Sequence, residues 1–167
     1  MDIKQWPAVA QEFNETMGSP GAFLTTASDG LVNTMTMGWG SAGYFWVRPI
    51  VTVPVRLTRY TREFIEKTGV FTISIPRKGE LHKELAYVGT KSGRDGDKLA
   101  ACGLTAVPGR TVPVPVIGQA CLHLECRVLY TNDISRHNLD AAVDSRFYTD
   151  RDYHTLYMAE VLDFYEL

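Results

Sequence analysis

The plainest periodicity in the chain is a strict two-residue alternation in its second half. In QACLHLECRVLY (119–130), Ala120, Leu122, Leu124, Cys126, Val128 and Tyr130 share one parity; Gln119, Cys121, His123, Glu125 and Arg127 take the other. That is the pattern of a half-buried antiparallel strand. GAFLTTAS (21–28), VNTMTMGWGSAG (32–43), IVTVPVRL (50–57), VFTISIP (70–76) and the closing YHTLYMAEVLDFYEL (153–167) also read as strands. Asp29-Gly30 between the first two is a hairpin signal. Pro54 assigns its strand to an edge or a bulge.

The period changes in three places. TRYTREFIEKTG (58–69) sets Tyr60, Phe64 and Ile65 on one helical face, with Gly69 as the stop. KGELHKELAYVG (78–89) is amphipathic through Leu81, Leu85 and Val88, and DKLAACG (97–103) is a short helix after the polar loop 90–98. The first twenty residues read as a polar lead, and 132–152 as a long polar connection. With no repeat or linker, the pattern predicts one domain over 1–167, mostly β with short helices. A mostly antiparallel barrel fits that order best.

Composition narrows the class. The 167 residues are 45% hydrophobic and 22% charged, ordinary globular values that need no staples. A net charge of -2 and a pI of about 6.1 argue against a nucleic-acid partner. Three cysteines without a CxxC pair suit a reducing compartment. Cys121 and Cys126 lie on opposite faces of one strand, so they cannot share a metal. His82, His123 and His137 lack partner ligands at useful spacing, and no metal site is expected. The N-terminal residues lack the apolar core of a signal peptide. No stretch reaches the length of a membrane helix. A soluble, cytoplasmic protein is expected.

Candidate chemistry sits in four segments. GWGSAG (38–43) matches a dinucleotide fingerprint by letter, but extended chain follows it where that fingerprint requires a helix. Arg56, Thr58, Arg59, Tyr60 and Thr61 end a strand and open a helix, where helix N–H groups, hydroxyls and guanidinium groups can converge on a phosphate. The same residues also suit a capped helix with solvated arginines. Lys91, Ser92 and Arg94 repeat that logic before the short helix. Asn33, Thr34, Met35, Thr36 and Trp39 mix hydrogen-bonding groups with flat, polarizable surface, as a planar heteroaromatic ligand requires; a barrel strand with threonines facing water has the same composition. His154, opening the last strand, can donate to a ligand, move a proton or make a structural hydrogen bond. No GxSxG elbow supports hydrolysis.

In series, GAFLTTASDGLVNTMTMGW, VTVPVRLTRYTREFIEKTGVFTISIP, VGTKSGRDGDKLAACGLT, QACLHLECRVLY and DYHTLYMAEVL resemble the flavin reductase-like FMN-binding split barrels, which include the flavoredoxins. The resemblance covers roughly residues 20 to 162. It implies a six-stranded antiparallel split β-barrel that forms a homodimer with FMN near the interface. It places the flavin against Asn33, Thr34, Met35, Thr36 and Trp39, and the phosphate at Arg56, Thr58, Arg59, Tyr60 and Thr61. Lys91 and Ser92 match the second phosphate loop, and His154 a histidine beside the flavin face. Ala159 stands where many relatives have glycine, and the connection 132–152 resembles the flavoredoxin-like subgroup. The implied function is FMN redox chemistry as an NAD(P)H-dependent flavin oxidoreductase. An electron carrier fed by a protein partner and a non-catalytic flavin-binding module stay open.

Overall fold

Helix α1 (Trp6–Thr16) corrects the expectation of a polar lead. Its apolar residues Trp6, Val9, Ala10 and Phe13 fall at i, i+3, i+4 and i+7, and all four are buried. The computed structural model describes residues 1–167. After α1 the chain forms β1 (Ala22–Ser28), β2 (Leu31–Met37), β3 (Ser41–Phe45), β4 (Arg48–Arg56), α2 (Tyr60–Thr68) and β5 (Val70–Ile75). Helices α3 (His82–Thr90) and α4 (Lys98–Cys102) follow, then the short β6 (Ala106–Val107) and β7 (Val116–Ile117). The long β8 (Leu122–Asp133), α5 (Ala141–Phe147) and β9 (His154–Glu166) complete the chain.

Seven strands join in one antiparallel sheet, ordered β2-β1-β5-β8-β9-β4-β3, and β6 pairs only with β7. The expected six-stranded barrel is therefore corrected to a seven-stranded sheet that does not close. The extra strand arises because the stretch read as one strand over 32–43 is two, β2 and β3, at opposite edges of the sheet. Only residues 38–40 join those edges, and Met37 and Ser41 can lie at most about 14 Å apart along an extended chain. The sheet must therefore curl until its edges face each other. Gly40 serves this crossing, since a Cβ there would meet Thr52 O at 3.0 Å and the Phe13 ring at 3.2 Å. Strand β3 after the glycines is the extended chain that ruled out a dinucleotide fingerprint.

Pro54 obeys its edge assignment. The pairing of β3 with β4 covers Arg48 to Thr52 only, so the outer side of β4 is free at Pro54.

The inside of the curl holds a 22-residue core in which Trp6, Phe13, Phe71, Ile73, Leu124 and Tyr157 take part. Helix α1 is tied over it by Trp6 Nε1, which donates to Gly43 O at 3.1 Å. A smaller cluster of Phe23, Leu85, Val88, Leu99, Leu104, Ile117 and Ala120 packs α3 and α4 on the outer face. Strand β8 is not half-buried as its alternation suggests, because His123 and Glu125 are fully buried too. Residues 105–118 fold over that side. Glu125 anchors them, accepting from the N–H groups of Arg110, Thr111 and Val112, from the Thr111 hydroxyl and from Tyr165 Oη. No helix is long and apolar enough to cross a membrane.

Candidate functional site

The curl brings the end of β4, the start of α2, the middle of β2 and the 90–94 loop to one place. Arg59 holds the N-cap position of α2 with extended backbone, and no side chain caps the helix. Its first N–H groups are therefore left for a ligand or solvent. Two adjoining clefts open there.

The first, of about 260 Å³, is polar. Asn33, Met35, Arg56, Thr58, Arg59, Tyr60, Thr61, Thr90, Lys91, Ser92, Gly93, Arg94, Lys98 and Asp152 line it. Five of these are cations and one is a carboxylate. The second, of about 190 Å³, is lined by Met35, Thr36, Met37, Gly38, Trp39, Pro54, Arg56, Arg59 and His154. Met35, Arg56 and Arg59 belong to both, so the clefts form one site with a charged end and a flat end.

Asn33 is buried, and its Nδ2 donates to Thr61 Oγ1 at 2.8 Å. Its Oδ1 is buried without a donor, an unmet acceptor at the cleft wall. Gly93 backs directly onto it, since a Cβ there would lie 2.2 Å from Asn33 Oδ1. Thr34 belongs to neither cleft: its hydroxyl accepts from Thr25 Oγ1 and donates to Leu24 O. Thr36 lines the flat end, with its hydroxyl given to Leu85 O.

The cations differ in what already holds them. Arg56 reaches the 147–152 segment, donating to Asp152 O at 2.8 Å and Phe147 O at 3.0 Å and pairing with Asp150. Thr58 is taken by the Asp152 carboxylate, through its N–H at 3.2 Å and its hydroxyl at 2.7 Å. Arg59 donates to Gly89 O at 2.8 Å. Arg94 stacks over the Tyr60 ring at 4.7 Å, pairs with Glu63 and donates to Thr58 O. Lys98 donates to Val88 O at 3.1 Å and Lys91 O at 3.2 Å. Burial, then the charge of Arg59, bring its ammonium down to about 8.

At the flat end His154 is buried, its ring 5.3 Å from that of Trp39. Its Nδ1 lies 2.8 Å from Tyr148 Oη. Burial, followed by the Arg56 charge, lowers its pKa to about 4. The imidazole is therefore neutral at physiological pH. Phe147, in α5, stands edge-on to Trp39 at 5.3 Å.

The sequence reading named Asn33, Met35, Thr36, Trp39, Arg56, Thr58, Arg59, Tyr60, Thr61, Lys91, Ser92 and His154, and the fold brings all of them to the two clefts. Lys98 also lines the first cleft, and its sequence carries no signal beyond the start of a short helix after a polar loop. Asp152 lines it too, and a polar connection gave no reason to distinguish that residue. The chemistry available is anion binding beside a planar, neutral, polarizable surface.

A model of the flavin reductase like domain matches residues 14–166. An uncharacterized protein of Pyrococcus abyssi is 38% identical over 90 residues, 54% of this chain and 51% of that protein. The uncharacterized protein YddH of Escherichia coli is 37% identical over 98 residues, 58% of this chain and 51% of that protein. The chain thus spans about half the length of the curated relatives it matches. Among solved structures, the flavoredoxin of Desulfovibrio vulgaris is similar with a TM-score of 0.70 and 27% identity, over 89% of this chain and 69% of that one. An FMN-binding domain of a flavin reductases-like enzyme from Shewanella baltica is similar with a TM-score of 0.69 and 25% identity, over 94% of this chain and 73% of that one. With the match extending over nearly its whole length, the chain belongs to the flavin reductase-like domain family.

Proposed function

We propose that this chain binds FMN across the two clefts and serves as an oxidoreductase of the flavin reductase kind, acting as a homodimer. The observation that carries the reading is the joining of a cation-lined cleft to a flat one through Met35, Arg56 and Arg59. The donor set fits the group. Arg59, Thr61, Lys91 and Ser92, with the uncapped start of α2, suit a phosphate. The unmet Oδ1 of Asn33 suits a ligand hydroxyl or N–H donor. Met35, Trp39 and neutral His154 suit the apolar faces and edges of a tricyclic ring.

Bound FMN supplies the electron-accepting and electron-donating ring; the protein supplies position, shielding and electrostatics. Asn33 and Thr61 fix one wall. Arg59 and the 90–94 loop hold the charged end. Neutral His154 offers an uncharged wall and no mobile proton near pH 7. The electron donor proposed is NADH or NADPH. The Phe147 ring against Trp39 supports a second reading, in which the 132–152 connection covers the flat end and a protein partner supplies electrons.

Fluorescence titration of the protein with FMN tests the first step, with about one site per chain expected. Unchanged flavin fluorescence at micromolar protein would overturn the reading. Stopped-flow mixing of the FMN-loaded protein with NADH or NADPH then separates the two readings. Bleaching within seconds supports the reductase. Bleaching by dithionite alone supports the carrier.

A further inference from the structure

Lys98 is the chain's one buried lysine. It opens α4 directly after Asp97, whose carboxylate caps the helix at Ala100 N, 3.0 Å away. Its ammonium reaches back to the carbonyls of Val88 and Lys91, at the end of α3 and the start of the 90–94 loop. Arg59 covers Gly89 O between them. A helix C-terminus carries partial negative charge, and these bare carbonyls would otherwise turn it toward the polar cleft. Two cations instead convert that end of α3 into an anion-tolerant wall.

No carboxylate pairs with Lys98 or with its cleft neighbours Arg59 and Lys91, whereas Arg56 and Arg94 in the same cleft are paired, and of these unpaired cations only Lys98 is buried. A buried ammonium beside a guanidinium and without a counterion is costly to maintain. An anion bound in the cleft that Lys98 lines would supply the missing counterion. We infer that Lys98 is the specificity-determining cation by which this cleft distinguishes a phosphorylated ligand from its unphosphorylated counterpart. The inference rests on the FMN reading above.

The ionisable groups facing Lys98 are Arg59 at the start of α2, Lys91 and Arg94 of the loop, Arg56 of β4, Asp152 of the connection, and the Cys102 thiol on its own helix. With the ammonium held down to about 8 by burial and Arg59, the free cleft loses this charge in mildly alkaline solution. A bound phosphate dianion favours the charged form, so binding above that pH takes up a proton. The ligand's own second ionisation, near pH 6 for a phosphate monoester, lies well below that window.

The test is fluorescence titration of the wild-type protein, K98M and K98R with FMN and with riboflavin between pH 7 and 9. In the wild type the FMN-to-riboflavin affinity ratio should fall about fivefold from pH 8 to 9. K98M should lose about tenfold or more of that ratio at pH 7 and show no slope. K98R should keep the ratio and carry it flat to pH 9. Equal weakening of both ligands in K98M, unrescued by K98R, overturns the inference and leaves Lys98 as a packing residue. So does a K98M protein that is folded by circular dichroism and keeps the wild-type ratio at pH 7. A wild-type protein that binds FMN and riboflavin equally at pH 7 instead overturns the FMN reading itself.

Discussion

At the scale of the residue, Asp152 changes how the phosphate segment is understood. From sequence, Thr58 is a free hydroxyl beside a helix start. In the fold its N–H and hydroxyl both serve the Asp152 carboxylate, which supplies a negative charge inside the cleft proposed for a phosphate. Asp152→Asn keeps the acceptor oxygen and removes that charge. It should tighten FMN by about threefold to tenfold at low salt, an effect that shrinks as salt screens the site. Isothermal titration at two ionic strengths measures it; unchanged affinity would mean the carboxylate is fully neutralised by Arg56. His154 gives a second residue-level prediction. Its pKa near 4 follows chiefly from burial, so reduction rates between pH 5.5 and 8 should show no ionisation assignable to it. His154→Ala should slow reduction by removing a wall of the flat end. A bell-shaped profile that vanishes in His154→Ala would contradict the neutral assignment.

At the scale of the element, the 132–152 connection is fastened by the Thr58–Asp152 and Tyr148–His154 hydrogen bonds and by one guanidinium. Arg56, at the end of β4, donates to the carbonyls of Phe147 and Asp152 and pairs with Asp150. Phe147, whose carbonyl Arg56 holds, is the residue that meets Trp39. Arg56→Ala should therefore loosen α5 while β4 and β9, held by their ladder from Ile50 to Arg56, stay protected. Hydrogen exchange should accelerate at least tenfold over 140–153 and remain near wild type over 50–55. If NAD(P)H reaches the flavin only in this variant, the connection is the cover that the carrier reading requires. Protection lost equally across β4 would show that Arg56 holds the sheet instead.

At the scale of the whole molecule, burial of ionisable groups sets acid stability. His123 is fully buried, with Nδ1 against Ser74 Oγ at 3.0 Å and Nε2 unpartnered. Burial lowers its pKa to about 4 from 6.5. The unfolded chain then binds more protons between those values. The stabilisation is complete above pH 6.5 and is lost as pH falls toward 4. His154 acts in the same sense. For Glu125, burial alone would raise the carboxyl, but its backbone and hydroxyl donors overcome this and bring it to about 2. Its contribution is present above 4.5 and lost toward pH 2. Unfolding free energy by urea titration should be level from pH 6.5 to 7.5 and fall below that. His123→Asn should remove about 2 kcal/mol of the fall between pH 6.5 and 4; an unaltered slope would show that His123 does not titrate on unfolding. The tip of the β3–β4 hairpin adds a statement about assembly. Tyr44, Phe45, Trp46 and Val47 are exposed there, with Trp46 and Val47 at positive φ. Side chains of that kind at a strained turn suit an interface. Light scattering at micromolar concentration should give twice the 18.7 kDa chain mass, and a value near one mass would count against the homodimer.

What the sequence alone determined is what local periodicity and residue chemistry can carry. Alternation located strands β4 and β8, apolar and β-branched runs located β1, β5 and β9, and the Asp29-Gly30 turn located the first hairpin, where both residues have positive φ. The hydroxyl and guanidinium cluster at 56–61 pointed to the candidate cleft, although the residues alone suit a capped helix equally and the family resemblance supplied the phosphate reading. Three matters belonged to the tertiary structure. The split of 32–43 into two opposite edge strands follows from how far the sheet curls, which no local period records. The burial of His123 and Glu125 depends on a loop folding across their face. The roles of Lys98 and Asp152 depend on which carbonyls and hydroxyls lie within 3.2 Å after folding. A side chain's charge is written in the sequence, but its counterion is chosen by packing.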